Sequence, residues 1–65
     1  MSVLVNGERR ETPDGTTVSA LVAQLELVPA TVLIEHNGVA LHRREWERVL
    51  VEGDRLEFLR VVAGG

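Results

Sequence analysis

Three small residues at the end of the chain, Ala63, Gly64 and Gly65, could present a C-terminal carboxylate for reaction in another protein. Glycine has no side chain and adopts positive and negative φ with similar ease, so such a segment can thread a narrow slot in another protein. It would carry a bare carboxylate, that of Gly65, into the partner's active site. The alternative is an ordinary frayed terminus without a function, since chain ends often consist of small, disordered residues.

The other residues with chemical potential predict no active site in the body of the protein. Cysteine is absent, which excludes a thiol nucleophile. Ser2 and Ser19 have no histidine close in sequence, and His36 and His42 flank a turn without a third soft ligand. These residues therefore predict neither a nucleophilic triad nor a metal site. We expect His36 at the rim of the core and His42 in solvent, which leaves the Gly65 carboxylate as the distinctive reactive group.

Size and charge narrow the class of protein further. A chain of 65 residues forms one domain with a small core, so a deep catalytic cavity is not expected. The net charge of −3 disfavours nucleic acid and favours a partner with a cationic surface. No apolar run approaches the roughly 20 residues that span a bilayer, and no basic region precedes an apolar stretch at the N-terminus. We expect a soluble, cytoplasmic protein that contacts no membrane.

The first half of the chain predicts a hairpin followed by a helix. An apolar strand at residues 3–5 leads into Asn6-Gly7, the pair that a type I′ turn requires, and residues 8–12 return as a charged partner strand. Thr17 is the predicted N-cap, with its hydroxyl accepting from the amide of Ala20. The helix then buries an apolar stripe of Val18, Leu21, Val22 and Leu25. Glu26 is predicted at the left-handed position that follows the helix, where glycine is usual.

The second half predicts short strands and one long one. Residues 32–36 form a strand that a second turn, Asn37-Gly38, joins to a short strand at 39–41. Residues 43–46 form a single turn that places Trp46 on the core, with its indole N–H expected to reach an acceptor at the rim. Residues 49–51 are extended, and residues 55–61 form the last strand.

This order of elements predicts the α+β class: a β-grasp, ubiquitin-like fold with a mixed four- to five-stranded sheet and one helix packed on one face. The β-grasp domain covers residues 1–62, and residues 63–65 form a flexible Gly-Gly tail. Strand alternation places six residues under the helix: Val3, Val5, Val32, Ile34, Leu56 and Phe58. The opposite face then carries Leu4, Leu33, Leu59 and Val61, which we interpret as a partner-docking patch rather than as scattered surface residues.

Several of these motifs, taken in order, carry a family resemblance. They are Asn6-Gly7, Thr17-Val18-x-x-Leu21, Asn37-Gly38, Trp46, Gly53-Asp54 and the terminal Gly64-Gly65. With them the chain resembles, over essentially its whole length, the ThiS family of sulfur carrier proteins in thiamin biosynthesis. Two positions depart from the family's pattern, since His42 stands where proline is common and Glu26 where glycine is common. Both departures bear on local rigidity rather than on the tail.

The resemblance implies a mechanism for the tail. A ThiF-like adenylating enzyme would activate the Gly65 carboxylate with ATP and Mg²⁺, and a persulfide donor would supply the sulfur for a thiocarboxylate. A ThiG-like thiazole synthase would then accept Ala63, Gly64 and Gly65 and build the sulfur into thiazole. The chain itself would bind no cofactor and would be a co-substrate, not an enzyme.

Other functions stay open from the sequence. One is a MoaD-like carrier for molybdopterin or another sulfur metabolite, although MoaD chains are generally longer and lack the segment seen here as Arg43-Arg44-Glu45-Trp46. A second is a ubiquitin-like protein modifier that passes Gly65 to a lysine amine. A third is a plain interaction domain that does not use its terminus.

Overall fold

The computed structural model describes residues 1–61, so the predicted tail at 63–65 lies outside the described residues. Within them are five strands and one α-helix: β1 (Ser2–Val5), β2 (Glu8–Glu11), α1 (Val18–Gln24), β3 (Val32–His36), β4 (Val39–Leu41) and β5 (Arg55–Arg60). Single turns of 3₁₀ helix at Pro29–Thr31 and Arg43–Glu45 complete the connections. The predicted elements are confirmed, with ends that differ by a residue or two.

The strands form one mixed sheet in the order β2-β1-β5-β3-β4. β1 and β5 are parallel neighbours at its centre, and every other neighbouring pair is antiparallel. The helix lies in the connection between the β1–β2 hairpin and β3 and packs on one face of the sheet. This is the β-grasp arrangement, and the sheet has five strands.

Both hairpins turn on an Asn-Gly pair with two residues of positive φ. Asn6 and Gly7 have φ of 49° and 82°, and Asn37 and Gly38 have φ of 51° and 85°. Two successive positive φ values define the type I′ turn, whose twist matches that of the flanking strands. The turns bring Val5 opposite Glu8 in one hairpin and His36 opposite Val39 in the other. The sequence prediction for both turns is confirmed.

The helix is capped at both ends by short-range hydrogen bonds. At its start, the Thr17 hydroxyl accepts from the Ala20 amide at 3.1 Å, as predicted. At its end, the Glu26 amide donates to the Ala23 carbonyl at 3.0 Å and the Leu27 amide to the Val22 carbonyl at 3.1 Å. These two bonds make a Schellman motif, with Glu26 in the left-handed position at φ 57°.

The core lies between the helix and one face of the sheet. All six sheet residues predicted to face the helix are buried, and so are the helix residues Val18, Leu21 and Val22. Trp46 and Leu50 close the core from the connection between β4 and β5. The alternation of side chains along the strands therefore sorts this small protein into a buried face and an open one.

One expectation about the core is wrong. The side chain of Trp46 is 4% exposed, and its indole N–H finds no hydrogen-bond partner among the described residues. The 3₁₀ turn at Arg43–Glu45 places the whole indole ring, including its N–H, in the core rather than at the rim. The Arg43 guanidinium lies over the ring, 4.6 Å from its centroid, so a cation–π contact covers the outer face of the indole.

Candidate functional site

The central strand β5 leads directly to the C-terminal segment. It pairs with β3 from His36↔Leu56 to Val32↔Arg60, whereas its pairing with β1 ends at Val5↔Leu56. The amide of Val61 still donates to the Thr31 carbonyl at 2.8 Å, which continues the ladder one residue past the strand. The segment that carries Gly65 therefore begins at the projecting end of the central strand.

Beyond the end of β1, the side chain of Asn6 makes hydrogen bonds to the backbone of β5, as the backbone of a neighbouring strand would. Its Oδ1 accepts from the Phe58 amide at 2.7 Å, and its Nδ2 donates to the Phe58 carbonyl at 3.4 Å. The sequence assigns Asn6 only a turn role, and no local pattern signals a contact with a residue so distant in the chain. Asn6 is thus a positioning residue for the end of β5.

Three of the four predicted docking residues share one patch on the open face of the sheet. Leu33 and Leu59 are direct cross-strand neighbours and are 60% and 50% exposed. Val61, which is 47% exposed, follows Leu59 on the same side of the chain. We call Leu33, Leu59 and Val61 the terminal patch, because it adjoins the C-terminal segment.

Leu4 occupies a different part of the same face. It is only half-buried, and its cross-strand neighbours are Arg9 on β2 and Arg55 on β5. Strand register explains this position, because Leu4 lies beside the start of β5 whereas Leu59 lies near its end. The structure therefore sets Leu4 among arginines, apart from the terminal patch.

On the helix side, a groove of about 490 Å³ lies near the end of β1. Its floor is apolar and includes Val5, Val32 and Phe58, and its rim carries Arg10 and Arg60. Among residues 1–61, the lining includes neither a histidine nor a serine. The described lining therefore offers no nucleophile paired with a base.

His36, the last residue of β3, belongs to a network of hydrogen bonds that joins the β3–β4 turn to the connection between β4 and β5. Its Nε2 lies 3.1 Å from Oδ2 of Asp54, and its Nδ1 lies 3.0 Å from Nη1 of Arg48. Arginine can only donate, so Nδ1 accepts and Nε2–H donates to the carboxylate. His36 is therefore near the rim of the core, as predicted, with both ring nitrogens engaged.

Asp54 is the buried end of this network, at 5% exposure. Its burial favours the neutral acid and raises the pKa, but hydrogen bonds from the Val51 amide, the Asn37 side chain and His36 outweigh that effect. The pKa of Asp54 is consequently lowered from its usual value of 3.8. A carboxylate that is fully engaged by donors holds the turn before β5, and it is not poised for acid–base catalysis.

The remaining candidates for chemistry are engaged in surface contacts. The Ser2 hydroxyl donates to Glu11 at 2.7 Å and the Ser19 hydroxyl to Glu47 at 3.0 Å, and His42 is exposed. Residues 1–61 contain no cluster of three or more metal-ligating side chains. They also contain no helix long and apolar enough to cross a membrane. In the described part of the chain, the terminal patch and the end of β5 are the features that adjoin the C-terminal segment.

Comparison with known proteins agrees with this architecture. The chain aligns along its full length with a crystal structure of the thiamine biosynthesis protein ThiS from Geobacter metallireducens, with a TM-score of 0.77 and 34% identity over the whole of that chain. An NMR solution structure of a thiamine biosynthesis protein from the same organism gives a TM-score of 0.73 at 34% identity and is covered over 88% of its length. The fold defines a small ubiquitin-like protein of the β-grasp class.

Sequence comparison gives the family. A profile described as the ThiS family matches residues 3–65. The sulfur carrier protein ThiS of Escherichia coli is 29% identical over the full length of both chains. A thiazole synthase of Paramagnetospirillum magneticum is 32% identical over the whole of this chain, which spans 20% of that protein's length. The chain belongs to the ThiS family.

Proposed function

We propose that this protein is a sulfur carrier for thiazole formation in thiamin biosynthesis and that Gly65 carries the sulfur. The observation that carries the proposal is the family match, which runs through residue 65 and so includes Ala63, Gly64 and Gly65. The fold supports it, because the central strand leads straight into this segment. The chain is then a co-substrate of other enzymes rather than a catalyst.

The chemistry begins with activation of the Gly65 carboxylate, since a free carboxylate is a poor electrophile. A ThiF-like enzyme uses ATP and Mg²⁺ to form an acyl-adenylate, with pyrophosphate as the leaving group. The terminal sulfur of a persulfide then displaces AMP, and a thiol cleaves the resulting acyl disulfide to release the thiocarboxylate. All cofactors reside on the partner, and the narrow profile of Ala63 and Gly64 lets the terminus reach the partner's active site.

Two features support a thiazole synthase as the recipient. The sequence of this chain aligns with one fifth of a longer protein that is named a thiazole synthase. A segment similar to this carrier is therefore part of the same polypeptide as that enzyme. The terminal patch of Leu33, Leu59 and Val61 adjoins the segment that a recipient must take up. We propose that this patch docks the partner while Ala63, Gly64 and Gly65 enter its active site.

The test is intact mass spectrometry after incubation with a ThiF-like enzyme, ATP, Mg²⁺ and sulfide. With sulfide as the nucleophile, attack on the acyl-adenylate yields the thiocarboxylate directly. The expected product is heavier by the difference between one sulfur and one oxygen atom. An unchanged mass, with an activating enzyme shown to be competent on another carrier, would refute the proposal. An amide adduct at Gly65 would instead assign the protein to the ubiquitin-like modifiers.

A further inference from the structure

Both asparagines of the chain are followed by glycine, at Asn6-Gly7 and Asn37-Gly38. Because glycine has no Cβ atom, its amide nitrogen can attack the preceding side-chain amide without steric hindrance. Each asparagine is exposed, and no described atom lies within 4 Å of the position that a Cβ atom would occupy on either glycine. Local sequence and exposure therefore make the two pairs equal candidates for deamidation, and only the surrounding structure separates them.

The side-chain amide of Asn37 is held by a buried carboxylate. Its Nδ2 donates to Oδ1 of Asp54 at 3.2 Å, and its Oδ1 accepts from the Arg55 amide at 2.8 Å. Deamidation would replace this donor with a second carboxylate that faces Asp54, whose side chain is 5% exposed. Two carboxylates at one site repel each other, so the fold opposes the product of the reaction at this turn.

The side-chain amide of Asn6 has a weaker donor contact. Its Oδ1 accepts from the Phe58 amide at 2.7 Å, whereas its Nδ2 lies 3.4 Å from the Phe58 carbonyl, which is longer than a typical N–H···O hydrogen bond. A carboxylate at this position keeps the stronger contact and gives up only the weaker one. The fold therefore does little to oppose deamidation of Asn6.

The strand that follows Asn6 is also weakly anchored. β2 has no buried residue and lies at the edge of the sheet beside β1, whereas β4, which follows Asn37, buries Leu41 in the core. In both turns the asparagine side chain is held against β5, so its Cγ atom meets the next amide nitrogen only when the turn opens. Local opening is easier where fewer buried contacts are lost, so the β1–β2 turn should open more often.

We infer that Asn6 is a site of spontaneous deamidation in the folded protein and that Asn37 is protected. The Gly7 amide nitrogen forms a bond to Cγ of Asn6, the Cγ–Nδ2 bond breaks, and ammonia leaves with the proton of the Gly7 amide. Water then opens the succinimide ring. Attack at the side-chain carbonyl gives aspartate, and attack at the backbone carbonyl gives isoaspartate. The reaction consumes only water, and the inference does not depend on the proposed function.

The isoaspartate product would lose its contact with β5. In this product the main chain runs through the former side chain and gains one carbon, while the free carboxylate is attached directly to Cα. That carboxylate is one bond shorter than the original side chain and starts from a displaced turn, so it no longer reaches the Phe58 amide. Modification of one turn residue thus alters the strand that leads to the C-terminus.

The test follows both asparagines in one sample of the whole protein near neutral pH. Trypsin cleaves after arginine and separates the two sites, because residues 1–9 contain Asn6 and residues 11–43 contain Asn37. Conversion makes a peptide heavier by the difference between a hydroxyl and an amino group. We expect Asn6 to convert about tenfold faster than Asn37 in the folded protein. Equal rates, faster conversion of Asn37, or no conversion of Asn6 would overturn the inference.

The unfolded protein is the control for the effect of structure. In guanidinium chloride at a concentration that unfolds the chain, both asparagines precede a glycine and neither keeps its native hydrogen bonds, so we expect nearly equal rates. A difference between the two rates that persists unchanged in the denaturant would assign it to the local sequence and overturn the structural argument.

The consequence for β5 is tested on the isolated isoaspartate form. A protein isoaspartate methyltransferase with labelled S-adenosylmethionine identifies this form among the chromatographically separated products. Asn6→Asp is the matched control, because it has the same charge and keeps the acceptor oxygen for Phe58. We expect the Phe58 amide to exchange its hydrogen about tenfold faster in the isoaspartate form than in Asn6→Asp. Equal exchange would overturn the predicted effect on the strand.

Discussion

The Oδ1 atom of Asn6 accepts a hydrogen bond of 2.7 Å from the backbone amide of Phe58, across 52 residues of sequence. The other Asn-Gly turn makes a similar contact, since Oδ1 of Asn37 accepts from the Arg55 amide at 2.8 Å. Each asparagine therefore forms its turn and also binds β5, one near the beginning of the strand and one beyond its middle. The strand that leads to the C-terminus is held from both sides by the two turns.

Replacement of Asn6 by glycine tests this second role. Glycine accepts the positive φ of the turn, so the change removes chiefly the contacts with Phe58. We expect the free energy of unfolding to fall by about 0.5–1.5 kcal/mol and the Phe58 amide to exchange its hydrogen faster. Asn6→Asp keeps the acceptor oxygen and is the control. Equal exchange at Phe58 in the wild type and in Asn6→Gly would contradict the positioning role.

The contrast between the two roles of Asn6 shows where sequence reasoning reaches its limit. The turn follows from two adjacent residues, and the helix cap at Thr17 follows from four, so both are visible locally. The bond to Phe58 depends on how far β1 runs along β5, which is decided by the packing of the whole sheet. No window of sequence contains that register.

The predicted docking residues also show that strand register cannot be read from the local sequence. Alternation correctly places Leu4 and Leu59 on the same face of the sheet, since that follows from strand periodicity. It does not give their distance, because Leu4 pairs with Arg55 only once β1 and β5 are aligned. Trp46 is the opposite case, in which packing overrides the preference of an indole N–H for an acceptor.

Asp54 gives a prediction for pH dependence. Its pKa is lower in the folded protein than the usual 3.8, so its ionised form contributes stability above that pH. This contribution is lost as the pH falls through the lower folded value. We expect the wild type to lose stability below about pH 4 and Asp54→Asn to lose less in that window. Glu11 and Glu45 have lowered pKa values as well, so the comparison isolates the part that Asp54 adds.

At neutral pH, the same substitution should destabilise the protein. Asp54→Asn removes a charged acceptor from the Val51 amide and from His36, which should lower the free energy of unfolding by about 1–3 kcal/mol. Asp14→Asn, at a side chain that is 94% exposed, is the control and should change stability little. Chemical denaturation of the three proteins at two pH values measures both effects. Equal losses in the two variants would argue against the network.

Glu26→Gly should stabilise the protein by up to about 1 kcal/mol. Glu26 has φ 57° in a Schellman motif, and glycine adopts this conformation without the steric cost of a Cβ atom. Glu26→Ala removes the carboxylate but keeps the Cβ, so it should bring little of this gain. Thermal unfolding compares the three proteins. A melting temperature for Glu26→Gly below that of the wild type would refute the strain at this position.

Leu59→Glu should weaken binding of the partner. The residue is half exposed in the terminal patch, so a carboxylate there costs the fold little but removes apolar contact and adds a third negative charge beside Glu35 and Glu57. We expect the affinity for the thiazole synthase, the partner that the patch is proposed to dock, to fall at least tenfold. Val39→Glu changes another exposed aliphatic residue, which is 68% exposed and lies on β4 outside the terminal patch, and is the control. Unchanged affinity in Leu59→Glu would dismiss the patch as a docking surface.

The tail gives the most direct prediction for activity. Removal of Gly65 moves the carboxylate to Gly64 and shortens the reach of the terminus, so the carbonyl carbon no longer meets the activating site. Gly64→Trp keeps the length but adds a side chain too large for a narrow slot. Both variants should lose sulfur loading by intact mass while their thermal unfolding matches that of the wild type, because both changes lie outside the strands, the helix and the core of the described residues. Ala63→Gly, which makes the segment narrower still, should load normally. Normal loading of the Gly65 deletion would rule out the terminal carboxylate as the site that carries sulfur.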